Sequence, residues 1–202
     1  MEKNIQQQSD DIIRVVLYGP ESTGKTVLAQ KLADHYNTIW IPEFARHYLD
    51  VKKAIYDPFG RSSDEISQPQ DIPQIVIGQV ATEDSMIEQA NKVLICDTNP
   101  LMTYVYNKHY FHRSEEWIAE VALKRQYDIY LLTNIDVPWI PDPPFRDRPY
   151  RREEMFELFH QELIQRKIRF EHITGNYEER FSKAVTIIDN IIKQLHDNSV
   201  KK

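Results

Sequence analysis

The sequence predicts an α/β fold, a five-stranded parallel sheet covered on both faces by helices. Three observations lead there. Five short apolar runs (residues 12–18, 38–42, 92–97, 128–133 and 168–174) are the right length for buried strands. Helical spacing separates the runs, and that alternation belongs to parallel strands joined by crossover helices. The first run closes on Gly19, and a second glycine, Gly24, opens the helical stretch that follows.

Each element has its own justification. Residues 1–11 are polar, without the basic-then-apolar layout of a secretion signal, and read as a disordered tail. IIRVVLY is β-branched and stops at glycine. From Gly24 to Tyr36, Val27, Leu28, the stem of Lys31 and Leu32 share one helical face. TIWIP is a second strand closed by Pro42, and residues 43–56 read as helix. Residues 57–71 are rich in turn formers and read as a mobile loop. Ile72, Val76 and Val80 begin a helical stripe that runs to about Ala90. KVLICD is a strand ending on Asp97. SEEWIAEVALKRQY reads as a helix with Ser114 as N-cap and glutamates in its first turn. DIYLLT is the fourth strand, and residues 136–149 hold too many prolines for regular structure. Residues 151–167 read as helix, IRFEHIT as the fifth strand and residues 177–195 as the last helix. No break in composition divides residues 12–196, so they read as one domain, with 197–202 a second disordered tail.

At 202 residues, 41% hydrophobic and 28% charged, the chain is long and apolar enough to bury a core. Its formal net charge of -6 argues against nucleic-acid and anionic-membrane partners. No apolar run approaches the roughly 18 residues of a membrane helix. Cys96 is the one cysteine, which fits a reducing compartment, the cytoplasm.

Gly19-Pro-Glu-Ser-Thr-Gly24-Lys25-Thr26 has the spacing G-x-x-x-x-G-K-[ST] between a predicted strand and a predicted helix, the setting of a Walker A phosphate loop. Glycines let the backbone curl so that N–H groups point inward, and the helix start adds unpaired N–H groups and a positive dipole end. The cofactors expected are therefore ATP and Mg²⁺. Gly19, Glu21, Ser22, Thr23, Gly24 and Val27 would line the nucleotide, Lys25 would reach the β- and γ-phosphates, and Thr26 would offer its hydroxyl to Mg²⁺. Such a loop needs a second strand ending in a carboxylate. Asp97 follows four apolar residues at the sheet's carboxyl edge; it reads either as an Mg²⁺ anchor or as a helix cap.

The surroundings select among phosphate-loop proteins. A guanine-reading N-K-x-D is missing, since TNID lacks the lysine, and Asp97 is followed by TNP where a GTPase switch has D-x-x-G. A mechanical ATPase would need a larger chain. A small-molecule kinase needs a charged group facing the acceptor at the end of the second strand, and IPEFAR supplies Glu43 and Arg46. Glu43 would take the proton of an attacking hydroxyl, although an ordinary surface ion pair between the two remains open. A kinase also needs positive charge over the transferring phosphoryl group. Arg146, Arg148, Arg151 and Arg152 lie in and just after the proline-rich loop; one or two would form a lid, with Arg146 and Arg148 the catalytic candidates. In TGNYEER, Asn176 and Tyr177 either contact adenine or form a plain strand-to-helix cap.

GPESTGKT, PEFAR, ICDT, YDIYLLTNIDVPW and the later arginine loop together resemble the kinase domain of NadR-type nicotinamide riboside kinases, over nearly the whole chain from about Arg14 to Leu195. The resemblance implies the nucleoside-kinase arrangement of the P-loop NTPase fold. It also implies ATP- and Mg²⁺-dependent phosphorylation of nicotinamide riboside in NAD salvage, by a kinase domain standing alone. The family pattern places aromatics before the strand-2 glutamate and on the helix before the metal strand; here those positions are Pro42 and about Thr82. The family's D-T-D becomes Asp97-Thr98-Asn99, with Asn99 a substrate contact, and Trp139, Tyr104 or Trp40 would supply the stacking. The competing expectation is a nucleotide-binding regulatory protein, a sensor of ATP or GTP that has lost its acceptor site.

Overall fold

The computed structural model describes residues 12–56, 67–141 and 149–200, with side chains through residue 197. The predicted tail at residues 1–11, most of the predicted loop (57–66), and Arg146 and Arg148 lie outside the described residues.

The sheet has five parallel strands in the order β2-β3-β1-β4-β5. These are β1 (Ile13–Tyr18), β2 (Trp40–Ile41), β3 (Val93–Asp97), β4 (Ile129–Thr133) and β5 (Phe170–Ile173). The helices are α1 (Lys25–His35), α2 (Phe44–Tyr56), α3 (Ile72–Met86), α4 (Pro100–Tyr110), α5 (Glu116–Lys124), α6 (Arg152–Gln165) and α7 (Tyr177–Val200). Among the described residues no helix is long and apolar enough to cross a membrane.

Alternation along the strands divides the core, because successive side chains of a strand leave on opposite faces. Val15, Leu17, Ile95 and Leu131 pack with Leu28 and Leu32 of α1 and Ile188 of α7. Val16, Tyr18, Cys96 and Leu132 pack on the other face with Leu101 of α4, Ile118 of α5 and Phe159 of α6. Cys96 is fully buried, as its position before Asp97 predicts. Registry then places the functional edge. Leu17 pairs with Asp97, Ile41 with Cys96, and Tyr18 with Leu132, so the chain leaves β1, β2, β3 and β4 along one carboxyl edge.

Some local expectations are corrected. Helix α4 is absent from the sequence reading, yet Asn99 caps it and Pro100 occupies its first turn. Ser114 is not the N-cap of α5, which starts two residues later with Glu115 in the cap position and no side-chain bond. The reason is the turn after α4. Asn107 binds across it, accepting the Arg113 N–H and donating to the Arg113 carbonyl, and this carries Ser114 past before helix begins. Val27 is 45% exposed and does not belong to the buried face of α1. The end of the predicted loop is anchored: Asp71 is buried, accepts from the Tyr48 hydroxyl and pairs with Lys52. The final helix continues beyond Leu195 to Val200.

Candidate active site

The phosphate loop is shaped by backbone that few residues tolerate. Gly19, Ser22 and Gly24 all have positive φ, at 133°, 56° and 80°. A Cβ on Gly19 would lie 2.8 Å from the Thr133 hydroxyl and 2.9 Å from its carbonyl, so the loop passes β4 where only glycine fits. Gly24 stands at the N-cap of α1, and no side chain caps that end, so its first N–H groups face the loop's interior. The Lys25 ammonium curls across the loop and donates to the carbonyls of Gly19 and Pro20 at 2.9 and 2.7 Å.

Two arginines hold the loop from outside. Arg180, 2% exposed, donates to the carbonyls of Thr23 (2.6 Å), Asn134 (2.8 Å) and Gly175 (2.7 Å), and pairs with Asp136. Arg152 donates to the carbonyls of Ser22 and Val137, both at 2.8 Å. Loop carbonyls are thereby drawn outward, which turns the opposing N–H groups inward, the orientation that binds anions. Arg180→Ala is expected to lower unfolding free energy by about 3 kcal/mol, since the buried Thr23 carbonyl and the part-buried Asn134 and Gly175 carbonyls lose their donor at once. Urea denaturation would measure it, and a loss below about 1 kcal/mol, the worth of one hydrogen bond, would remove Arg180 from this role.

Thr26 and Asp97 meet at the centre. The Thr26 hydroxyl donates to Asp97 Oδ2 at 2.6 Å. Asp97 is 1% exposed, and its Oδ1 has no hydrogen-bond partner among the described residues. Burial, reinforced by the Glu43 charge, pushes its pKa up to about 6 against the pull of Lys25, the Thr26 hydroxyl and Arg46. Asp97 does not cap α4; Asn99 does. Thr98 between them has φ 78°, an uncommon conformation for a β-branched residue and of the kind concentrated at functional sites. A buried carboxylate oxygen without a donor beside a hydroxyl is a hard-oxygen pair that fits Mg²⁺, whose remaining ligands are usually water and phosphate.

The acceptor side lies across a cavity of about 470 Å³, lined by the loop from Glu21 to Val27 and by Glu43 and Arg46. Glu43 lies two residues past the end of β2, after Pro42. Among the described residues it has no hydrogen bond, and no ion pair joins it to Arg46, so the surface-pair reading does not describe this geometry. The far wall is aromatic: Tyr106 and Tyr110 of α4 stack with centroids 5.8 Å apart and planes 14° apart.

The remaining predicted residues separate clearly. Tyr177 lines the cavity with its ring against Gly24, where a Cβ would fall 2.8 Å from it. Asn176 is a cap, accepting the N–H groups of Glu178 and Glu179 at 3.0 and 3.1 Å. Asn99 is buried, donates to the Tyr130 hydroxyl at 2.6 Å and caps α4, so it does not reach the cavity. Trp139 does not line the cavity; the Arg152 guanidinium lies 5.8 Å from its ring. Tyr104 is in the core, and neither Trp40 nor the Pro42 and Thr82 positions line the cavity. Of the lid candidates within the described residues, Arg151 lines the cavity and pairs with Glu154, while Arg152 serves the loop. Sequence reading missed Arg180, Tyr106, Tyr110 and Gln79; for the tyrosines the available signal was the Asn99-Pro100 helix start.

Comparison with known proteins gives concordant findings. Residues 14–180 match the AAA domain family. Over 181 residues the chain is 26% identical to the trifunctional NAD biosynthesis/regulator protein NadR of Salmonella typhimurium, covering 88% of this chain and 42% of that protein. For NadR of Escherichia coli the identity is 28% over 177 residues, covering 86% of this chain and 41% of the relative. The chain is thus homologous to a part of NadR and spans about two fifths of the length of these curated relatives. A NadR structure in complex with NR superposes with a TM-score of 0.73 at 21% identity, covering 91% of this chain and 52% of that one. Thymidylate kinase from Ehrlichia chaffeensis superposes at 0.59 with 12% identity, covering 87% and 98%. These structural likenesses establish a kinase-like P-loop fold.

Proposed function

The chain belongs to the AAA domain family, and from that premise we propose that it is an ATP- and Mg²⁺-dependent kinase that phosphorylates a ribonucleoside hydroxyl, with nicotinamide riboside the first candidate. The observation that carries the reading is Glu43, a carboxylate without a hydrogen-bond partner among the described residues. It faces the phosphate loop across the cavity at the same sheet edge as Asp97. A nucleotide sensor has no use for such a group, whereas a kinase needs one within reach of the acceptor hydroxyl. Homology to NadR, whose name carries NAD biosynthesis, supports the choice of acceptor.

In the proposed reaction the loop's N–H groups and Lys25 hold the β- and γ-phosphates, and Thr26 and Asp97 hold Mg²⁺. The ion, when bound, neutralises charge on the β- and γ-phosphate oxygens. The acceptor hydroxyl oxygen forms its bond to the γ-phosphorus as the bond to the bridging oxygen breaks. Its proton passes to Glu43, and ADP departs. Arg46 and Arg151, both on the cavity, supply positive charge near the transferring group. The acceptor's ring lies against Tyr106 and Tyr110, which take the stacking role that Pro42 and Thr82 do not fill.

A screen of ATP consumption over nucleosides, with and without Mg²⁺, tests this. Mg²⁺-dependent turnover with a nucleoside is expected, nicotinamide riboside among the best acceptors. Nucleotide binding without consumption on any nucleoside would move the chain to the sensor class.

A further inference from the structure

We propose that the adjacent residues Gly78 and Gln79 of α3 form a clamp that positions Glu43; its catalytic consequence rests on the kinase reading above. Helix α2 begins at Phe44, immediately after Glu43. The Phe44 N–H belongs to the first turn and has no carbonyl of its own helix to bind. Gln79 Oε1 accepts it at 3.0 Å, so a side chain from a neighbouring helix acts as the cap. The Phe44 ring is held by the preceding residue: a Cβ on Gly78 would overlap it, so the ring occupies space that only glycine leaves.

The clamp has a rigid base. Gln79 is 2% exposed, and its amide nitrogen donates to Glu83 Oε1 at 3.2 Å. A backbone donor on one side and a carboxylate on the other fix which way the amide points. Glu83, 1% exposed, is held by Arg125 Nε and the Tyr127 hydroxyl, both at 2.8 Å. Arg125 is tied to β1, since its carbonyl accepts from Arg14 Nη1 at 2.7 Å. A continuous set of hydrogen bonds therefore runs from the central strand to the residue after Glu43. Glu43 has no hydrogen bond of its own among the described residues, so its place is set by the backbone on either side, Pro42 before and clamped Phe44 after. Burying a carboxylate and an amide to secure one N–H is costly unless the position of that N–H matters.

The test uses the full chain, labelled with ¹⁵N, as Gln79→Leu and, independently, Gly78→Ala. A leucine side chain is close to glutamine in size, and the first variant leaves Glu83 with its Arg125 and Tyr127 partners. Amide exchange at Phe44 is expected to rise about tenfold in Gln79→Leu, the factor one net hydrogen bond corresponds to, with Val16 and Ile95 of the sheet unchanged. With the nucleoside acceptor, kcat is expected to fall ~10- to 100-fold in both variants, the scale of a small misplacement, while KM for ATP stays within about twofold. The loss in Gly78→Ala would come despite the better helix propensity of alanine, which by itself would favour α3. Unchanged Phe44 exchange in Gln79→Leu, or unchanged kcat in both variants, would overturn the clamp. If the wild type turns over no nucleoside, the kinase reading falls by itself, and the exchange measurement still decides whether Gln79 holds Phe44.

Discussion

Lys25→Ala is expected to cut phosphoryl transfer by roughly two to three orders of magnitude while the protein stays folded. The magnitude is that of removing one preorganised donor aimed at charge developing in the transition state, about 2.7–4 kcal/mol. The ammonium donates to two carbonyls of its own loop, Gly19 and Pro20, so it is held across the loop's interior. Arg152 and Arg180 still fix Ser22 and Thr23 from behind, so the loop keeps its curl without the lysine. Circular dichroism should therefore overlay with wild type. Nucleotide affinity should fall far less than turnover, because backbone N–H groups continue to hold the phosphates. Turnover equal to wild type would exclude phosphoryl transfer at this loop.

What the sequence made legible was local or periodic. The phosphate loop is contiguous, and its glycine positions follow from backbone conformation alone, so Gly19, Gly24, Lys25 and Thr26 stand where the spacing puts them. Asp97 and Glu43 followed from strand ends, because parallel strands bring their carboxyl ends to one edge. Helix α4 was not legible by periodicity: Leu101, Met102, Tyr104 and Val105 are all buried, on several sides, so no single apolar stripe marks it. Without that helix nothing in the sequence places Tyr106 and Tyr110, and the stacking candidates it offers instead, Trp139, Tyr104 and Trp40, do not line the cavity. Arg180 and Gln79 were illegible for another reason. Each is a polar residue in a helix, a pattern that normally means a solvated face, and each takes its meaning from partners far along the chain. Arg180 meets Thr23 and Asn134, and Gln79 meets Phe44. Asn99 shows the reverse error, since asparagine at a strand-to-helix junction is first a cap, the one of its two readings that Asn176 also takes.

Glu43→Gln is expected to lower kcat by roughly two to four orders of magnitude, the range of general-base catalysis, with ATP affinity nearly unchanged. The amide keeps the shape and the neighbours of the carboxylate but cannot accept a proton from the attacking hydroxyl. The geometry makes this a clean substitution. Glu43 has no hydrogen-bond partner among the described residues to lose. The backbone that carries it stays anchored through Phe44 to Gln79. One electrostatic consequence separates loss of the base from loss of structure. The Glu43 charge helps hold the Asp97 pKa up at about 6. Removing that charge favours the Asp97 carboxylate, so the variant should bind Mg²⁺–ATP at least as well as wild type at slightly acid pH, even as turnover collapses. Steady-state kinetics beside a Mg²⁺–ATP titration at two pH values would show both. Full activity in Glu43→Gln would show that the hydroxyl loses its proton without help from Glu43, and would remove Glu43 from the role of base.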